Sequence, residues 1–214
     1  LGALVLEDKA LSSASTSASP DKITAVLAQA IAETGVQVLP WTDTLRQWQA
    51  RVQIMHRLAP AEWPDVSEEG LRARITEWAA PYLTGMSRFS HLDRFPLHNA
   101  LTGMLDWSSQ QALDALLPVQ LEVPTGSRIS IDYTAEHGPV LAVKLQEMFG
   151  LLETPRLAQG RVPLTIHLLS PAQRPVAVTQ ELASFRKNAY ADVRKDIRGR
   201  YPRHAWPEDP FTAV

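Results

Sequence analysis

Apolar residues recur at helical spacing through the first half of the chain and change to alternation near residue 120, so the pattern predicts helices followed by strands. After an apolar start, LGALVL at 1–6, residues 10–20 read ALSSASTSASP, small and polar without a period, which predicts a linker. Ser19 as N-cap with Pro20 at the first helical position opens a helix that carries Val26 and Ile31 on its apolar side and ends at Gly35. Thr42 caps a second helix, with Leu45, Trp48, Val52 and Met55 on one stripe until Ala59-Pro60 stops it. Ser67 caps a third, which opens with Glu68 and Glu69 and sets Leu71, Ile75, Trp78 and Tyr82 on one side. Two short helices follow over 97–105 and 108–117, the latter opening with the capping box Ser108-x-x-Gln111.

The period then becomes two. Residues 120–123, 128–133 and 140–145 read as strands with a turn at Glu136-His137-Gly138-Pro139, and 146–150 as a helical turn closed by glycine. A second strand pair, 162–169 and 176–179, flanks the turn at 170–175, and one or two helices over 180–198 precede a proline-rich tail. The expected fold class is α+β: a helical N-terminal half, then a small mixed or antiparallel sheet with C-terminal helices. The expected division is a stub of a preceding domain with its linker at 1–19, a helical subdomain at 20–117 and an α+β domain at 118–214.

Composition narrows the chemistry. Cysteine is absent, which removes disulfides, thiolate nucleophiles and cysteine metal sites and favours a reducing compartment, the cytoplasm. No apolar run approaches the roughly 20 residues that span a bilayer, so no membrane partner is expected. There is no GxxxxGK[ST] loop, GxGxxG turn, GxSxG elbow or HExxH helix, and the histidines at 56, 91, 98, 137, 167 and 204 lack metal-ligand spacing. The carboxylate pairs Glu68-Glu69 and Glu208-Asp209 are read as structural, and Trp48, Trp63, Trp78 and Trp107 as core rings. No catalytic residue, metal site or cofactor is assigned.

Charge supplies the one constellation. The net charge is −2, yet residues 1–120 hold 9 Lys/Arg against 13 Asp/Glu whereas 121–214 hold 12 against 10. Between 184 and 204 stand Arg186, Lys187, Arg194, Lys195, Arg198, Arg200 and Arg203 against Asp192 and Asp196. On a helix, Tyr190, Val193 and Ile197 would face inward and leave Lys187, Arg194, Lys195 and Arg198 outside. Such a face can contact phosphates, with Tyr201 or Trp206 available to stack on a base. A solvated helix end whose cations complement the macrodipole produces much the same pattern, so both readings stay open.

Four blocks carry a resemblance: TGSRISIDY at 125–133, LAVKLQEMFGLLETPR at 141–156, GRVPLTIHLLSPAQRPVAVTQELASF at 160–185 and RGRYPRHAWPEDP at 198–210. In this order and spacing they resemble the C-terminal region of the bacterial HrpB-type DEAH-box ATP-dependent RNA helicases. The resemblance implies a parent enzyme whose motor lobes bind ATP and Mg and lie outside this chain. It implies no catalytic residue here, because no position matches the family's nucleotide motifs. Its motor lobes become the expected partner, with single-stranded RNA or DNA as a possible second. Three roles follow: an accessory nucleic-acid-binding region, a docking or packing domain, or an enzyme with a novel site. An exposed patch of Pro202, Trp206, Pro207 and Phe211 would favour docking.

Overall fold

The computed structural model describes residues 19–211, so LGALVL and most of the linker lie outside the described residues. Compactness divides the chain into two units, Leu1–Gln111 and Ala112–Val214. The boundary falls inside a helix, ahead of the 117/118 position expected from the change of period.

In the first unit, α1 spans Pro20–Thr34 and stops at Gly35, whose φ of 107° is open to glycine at little steric cost. Two expectations for this helix change. Ser19 holds the N-cap position without a side-chain bond, and the buried face is Leu27, Ala28 and Ile31 while Val26 is exposed. Helix α2, Asp43–Leu58, is capped as expected, the Thr42 hydroxyl accepting from Leu45 N at 3.2 Å. Its stripe buries Leu45, Val52 and Met55, with Trp48 half-buried.

The third predicted helix is broken. Ser67 accepts from Gly70 N at 3.0 Å and starts α3, Glu68–Ala73, but the backbone leaves helical geometry at Arg74 before α4, Ile75–Trp78, and a 3-10 turn over Ala80–Tyr82. The break coincides with the Arg74 guanidinium reaching back to Asp65 O at 3.0 Å. Leu71, Ile75 and Trp78 stay buried through it, and Trp78 donates its Nε1 to Leu71 O at 2.8 Å and meets Phe95 edge-on at 6.2 Å. Asp65 also accepts from Ser67 N at 2.9 Å, a backbone bond that holds its carboxyl below the usual carboxylate range.

Helix α5 is shorter than predicted, Leu97–Thr102, and α6 runs Trp107–Leu116. Its cap is Asp106 rather than Ser108: the Asp106 carboxylate accepts from Ser109 N at 2.7 Å and from the Ser108 hydroxyl at 2.9 Å. A carboxylate at this end also meets the positive pole of the helix, which explains why it displaces the expected box. Trp107 is 72% exposed, which corrects its reading as a core ring.

The second unit is built on five strands in sequence order, β1 Gln120–Glu122, β2 Arg128–Asp132, β3 Val140–Lys144, β4 Thr165–Leu169 and β5 Pro175–Thr179. The sheet is mixed: β3 and β4 run parallel, joined by residues 145–164, and the other pairs are antiparallel. The β1–β2 turn closes with Gly126 N on Val123 O at 2.8 Å and Gly126 at φ 81°. Strand β4 starts at Thr165 rather than 162, since Val162 instead bridges Leu157. Ile131, Leu141, Val143, Ile166 and Leu168 are buried on one face, the alternation that marked these segments in the sequence. Helices α7, Leu182–Asn188, and α8, Tyr190–Arg200, complete the unit.

The caps can be tested directly. Thr42→Ala and Ser67→Ala each lower stability by about 1 kcal/mol in urea unfolding, whereas Ser19→Ala stays within about 0.5 kcal/mol of the parent.

Candidate nucleic-acid interface

The basic segment occupies α7, α8 and the tail that follows. Its charges do not share one fate. In α7, Leu182 and Phe185 are buried, and Arg186 lies four residues after the first on the same side. Arg186 is 7% exposed and donates from Nη1 to Leu151 O and from Nη2 to Met148 O, two carbonyls of the β3–β4 connection. Its guanidinium also lies 5.0 Å from the centre of the Phe211 ring. Burial pushes its proton affinity down while Asp209 and Tyr190 oppose this, and an arginine remains charged in such a place. This side chain is therefore removed from the surface set expected from the sequence.

Arg194 is the second correction. Tyr190 and Ile197 are the buried positions of α8, and Arg194, four residues after the first and three before the second, lies at the flank of that face rather than on the outside. Its Nε donates to Trp206 O at 2.9 Å and it pairs with Glu208 at 3.5 Å. Trp206 in turn is 8% exposed and donates its Nε1 to Tyr201 O at 2.8 Å, so it is not a stacking surface for a base. Tyr190 packs edge-on against Phe149 and Phe185 and donates its hydroxyl to Pro207 O at 2.7 Å. Gly150 N donates to Pro210 O at 3.2 Å, and Pro210 is buried. The expected apolar patch is thus largely folded in: Trp206 is covered and Pro207 half-buried, leaving Pro202 and part of Phe211 exposed.

What remains outside is smaller and cleaner. Lys187, Lys195, Arg198 and Arg203 are exposed, and no ion pair among the described residues holds them. Lys195 and Arg198 are three apart on α8 and neighbours on its surface. Arg200 pairs with Asp196 at 3.1 Å in an exposed contact that contributes little, and Asp192 stands one turn before Lys195. Tyr201 is half-buried, its carbonyl engaged by Trp206 and its ring edge-on to His204 at 6.3 Å. No group of three or more His, Cys, Asp or Glu among the described residues could hold a metal ion. No described helix is long and apolar enough to cross a membrane.

The HrpB_C family model, described as ATP-dependent helicase C-terminal, matches residues 78–210. Over 193 residues, 90% of this chain, the sequence is 44% identical to the ATP-dependent RNA helicase HrpB of Escherichia coli strain K12, of which the match covers 24%. A crystal structure of an E. coli DExH-box NTPase HrpB superimposes with a TM-score of 0.85 at 44% identity, over 91% of this chain and 24% of that one. A second, of an Escherichia coli DEAH/RHA helicase HrpB, gives a TM-score of 0.74 at 41% identity, over 89% and 24%. The chain spans about a quarter of the length of the relatives it matches.

Two measurements check the geometry. Arg186→Ala destabilises the protein by about 3 kcal/mol, because the buried Met148 carbonyl and the half-buried Leu151 carbonyl lose a charged donor. Arg186→Lys recovers little of it, since a single ammonium does not reproduce the fork. Lys195→Ala and Arg198→Ala stay within about 0.5 kcal/mol of the parent in the same urea series. The second concerns Tyr190, whose hydroxyl is pushed up from its usual value of 10.0 by burial, against the pull of Arg194 and Arg186. A raised folded value means that its contribution is present below about pH 10 and is lost as pH rises further, because the unfolded chain releases the proton first. Tyr190→Phe therefore flattens the alkaline decline in stability, and costs about 1 kcal/mol at neutral pH for the bond to Pro207.

Proposed function

This chain belongs to the HrpB family of ATP-dependent helicases, in its C-terminal part, and we propose that here it serves as an accessory region that holds a single strand of nucleic acid by its phosphates. One observation carries the reading: after the fold has drawn Arg186 and Arg194 inward, Lys187, Lys195, Arg198 and Arg203 are still exposed and without a carboxylate partner among the described residues. Contacts of this kind neutralise backbone charge and read no base, so binding is independent of sequence and weakens as salt rises. The half-buried Tyr201 is the aromatic residue of the original set that retains some exposure beside these cations.

In this reading the nucleotide chemistry belongs to the parts of the parent outside these residues, where ATP and Mg would be bound. The working partner of the region is that motor, in the cytoplasm. The corrections sharpen the choice of residues. A variant at Arg194 tests the fold as much as a contact, whereas Lys195 and Arg198 report on phosphates alone.

In the full-length parent, replacing both Lys195 and Arg198 by Ala should lower the magnitude of the slope of log K against log salt for single-stranded RNA by about 1.4, two phosphate contacts' worth. Basal ATP turnover stays unchanged and its stimulation by RNA falls. An unaltered slope with unaltered stimulation returns these cations to the role of a solvated helix end.

A further inference from the structure

The sheet of the second unit carries a face that the fold leaves uncovered. Paired residues on neighbouring strands project to the same side, so the register sets Ala142 of β3, His167 of β4 and Val178 of β5 in one row, opposite the buried Leu141, Ile166 and Leu168. Ala142 is exposed, His167 half-buried and Val178 61% exposed. The flanking rows add half-buried Val140 and Thr165 on one side and Lys144 and Leu169 on the other. Parallel strands are ordinarily covered by the helix of the crossover that joins them, and the crossover from β3 to β4 holds only 3-10 turns. Here the parallel pair β3–β4 lies at the centre of an open face, and β5 beside it is an edge strand whose stretch Val176-Ala177-Val178-Thr179 has no charge to discourage a neighbour.

We infer that the Ala142–His167–Val178 face of the sheet is a docking surface for the helicase portion of the same polypeptide. The occupant follows from two observations. The relatives carry this region as 24% of a single chain, so about three quarters of such a polypeptide lies beyond it and is tethered to it. A tethered partner meets the face at the high effective concentration of an intramolecular contact, which lets a modest, largely neutral surface suffice. The chemistry of the face also separates it from the phosphate-binding residues. Lys144 is the cation of the three rows, so the surface suits protein rather than a nucleic-acid backbone. The inference rests on family membership and chain length, and is independent of what Lys195 and Arg198 bind.

The test uses the full-length parent with Val178→Cys, a small change at an exposed position in a region that has no cysteine of its own. Thiol labelling at residue 178 is read by peptide mass and compared with the same site in the urea-unfolded chain. Labelling slowed by tenfold or more, equally at low and high protein concentration and without RNA, is the expected result. Slowing of less than tenfold overturns the inference. So does protection that grows with protein concentration, which would assign the face to a second copy, or that appears only with added RNA, which would assign it to the strand.

Discussion

The second unit turns on one buried charge. Arg186 brings its guanidinium under the C-terminal tail and satisfies two carbonyls, Met148 O and Leu151 O, in the irregular connection that carries the chain from β3 to β4. That connection pairs its own backbone only through short 3-10 turns and the Leu157–Val162 bridge, and a buried carbonyl without a donor is costly. Arginine suits the task because its planar fork offers several donors in fixed directions and it tolerates loss of water better than lysine. Once it is buried, however, its charge must be enclosed as well as bonded. The tail supplies the enclosure through the Phe211 ring and Pro210, and the tail is held in turn by Tyr190 and Arg194.

This arrangement divides one run of similar residues into two chemical roles. Arg186 and Arg194 spend their donors on backbone carbonyls, where direction matters and the loss of either leaves a partner unsatisfied. Lys195 and Arg198 stand in water, where they keep a diffuse charge and constrain nothing. A charge count adds the two kinds together, and so overstated the cationic surface. The smaller exterior set is nevertheless the better evidence for phosphate contact, because no other part of the described fold requires it.

Most of the fold was legible in the sequence, and the misses have physical causes. Alternation located β2, β3 and β4 because each buries residues on one face, and the parallel β3–β4 pair stayed open because a period of two carries no strand direction. Ser19 and Ser108 are residues of the right type at helix starts, but Asp106, two residues before Ser108, takes the capping position by accepting from Ser109 N. The signal for Arg186 was present: it is four residues from Leu182 and next to Phe185, on the stripe that the apolar residues define. Arg194 likewise sits four from Tyr190 and three from Ile197. Treating every arginine as a surface residue hid a periodicity that would have placed both inside.

The same geometry makes the tail and the phosphate candidates mechanically dependent. Helix α8 is oriented by the buried Tyr190 and Ile197 on one side and by the tail bonds of the half-buried Arg194, so the direction in which Lys195 and Arg198 project is set by residues outside the exposed set. A substitution at Trp206 or Arg186 would disturb the placement of these exposed cations without either residue being one of them. Loss of binding after a tail substitution therefore says little about contact unless stability is unchanged. The segment RGRYPRHAWPEDP, which carries the resemblance most visibly, is explained first by this packing: Trp206, Pro207 and Pro210 close the unit, and Arg198 and Arg203 are what the closure leaves free.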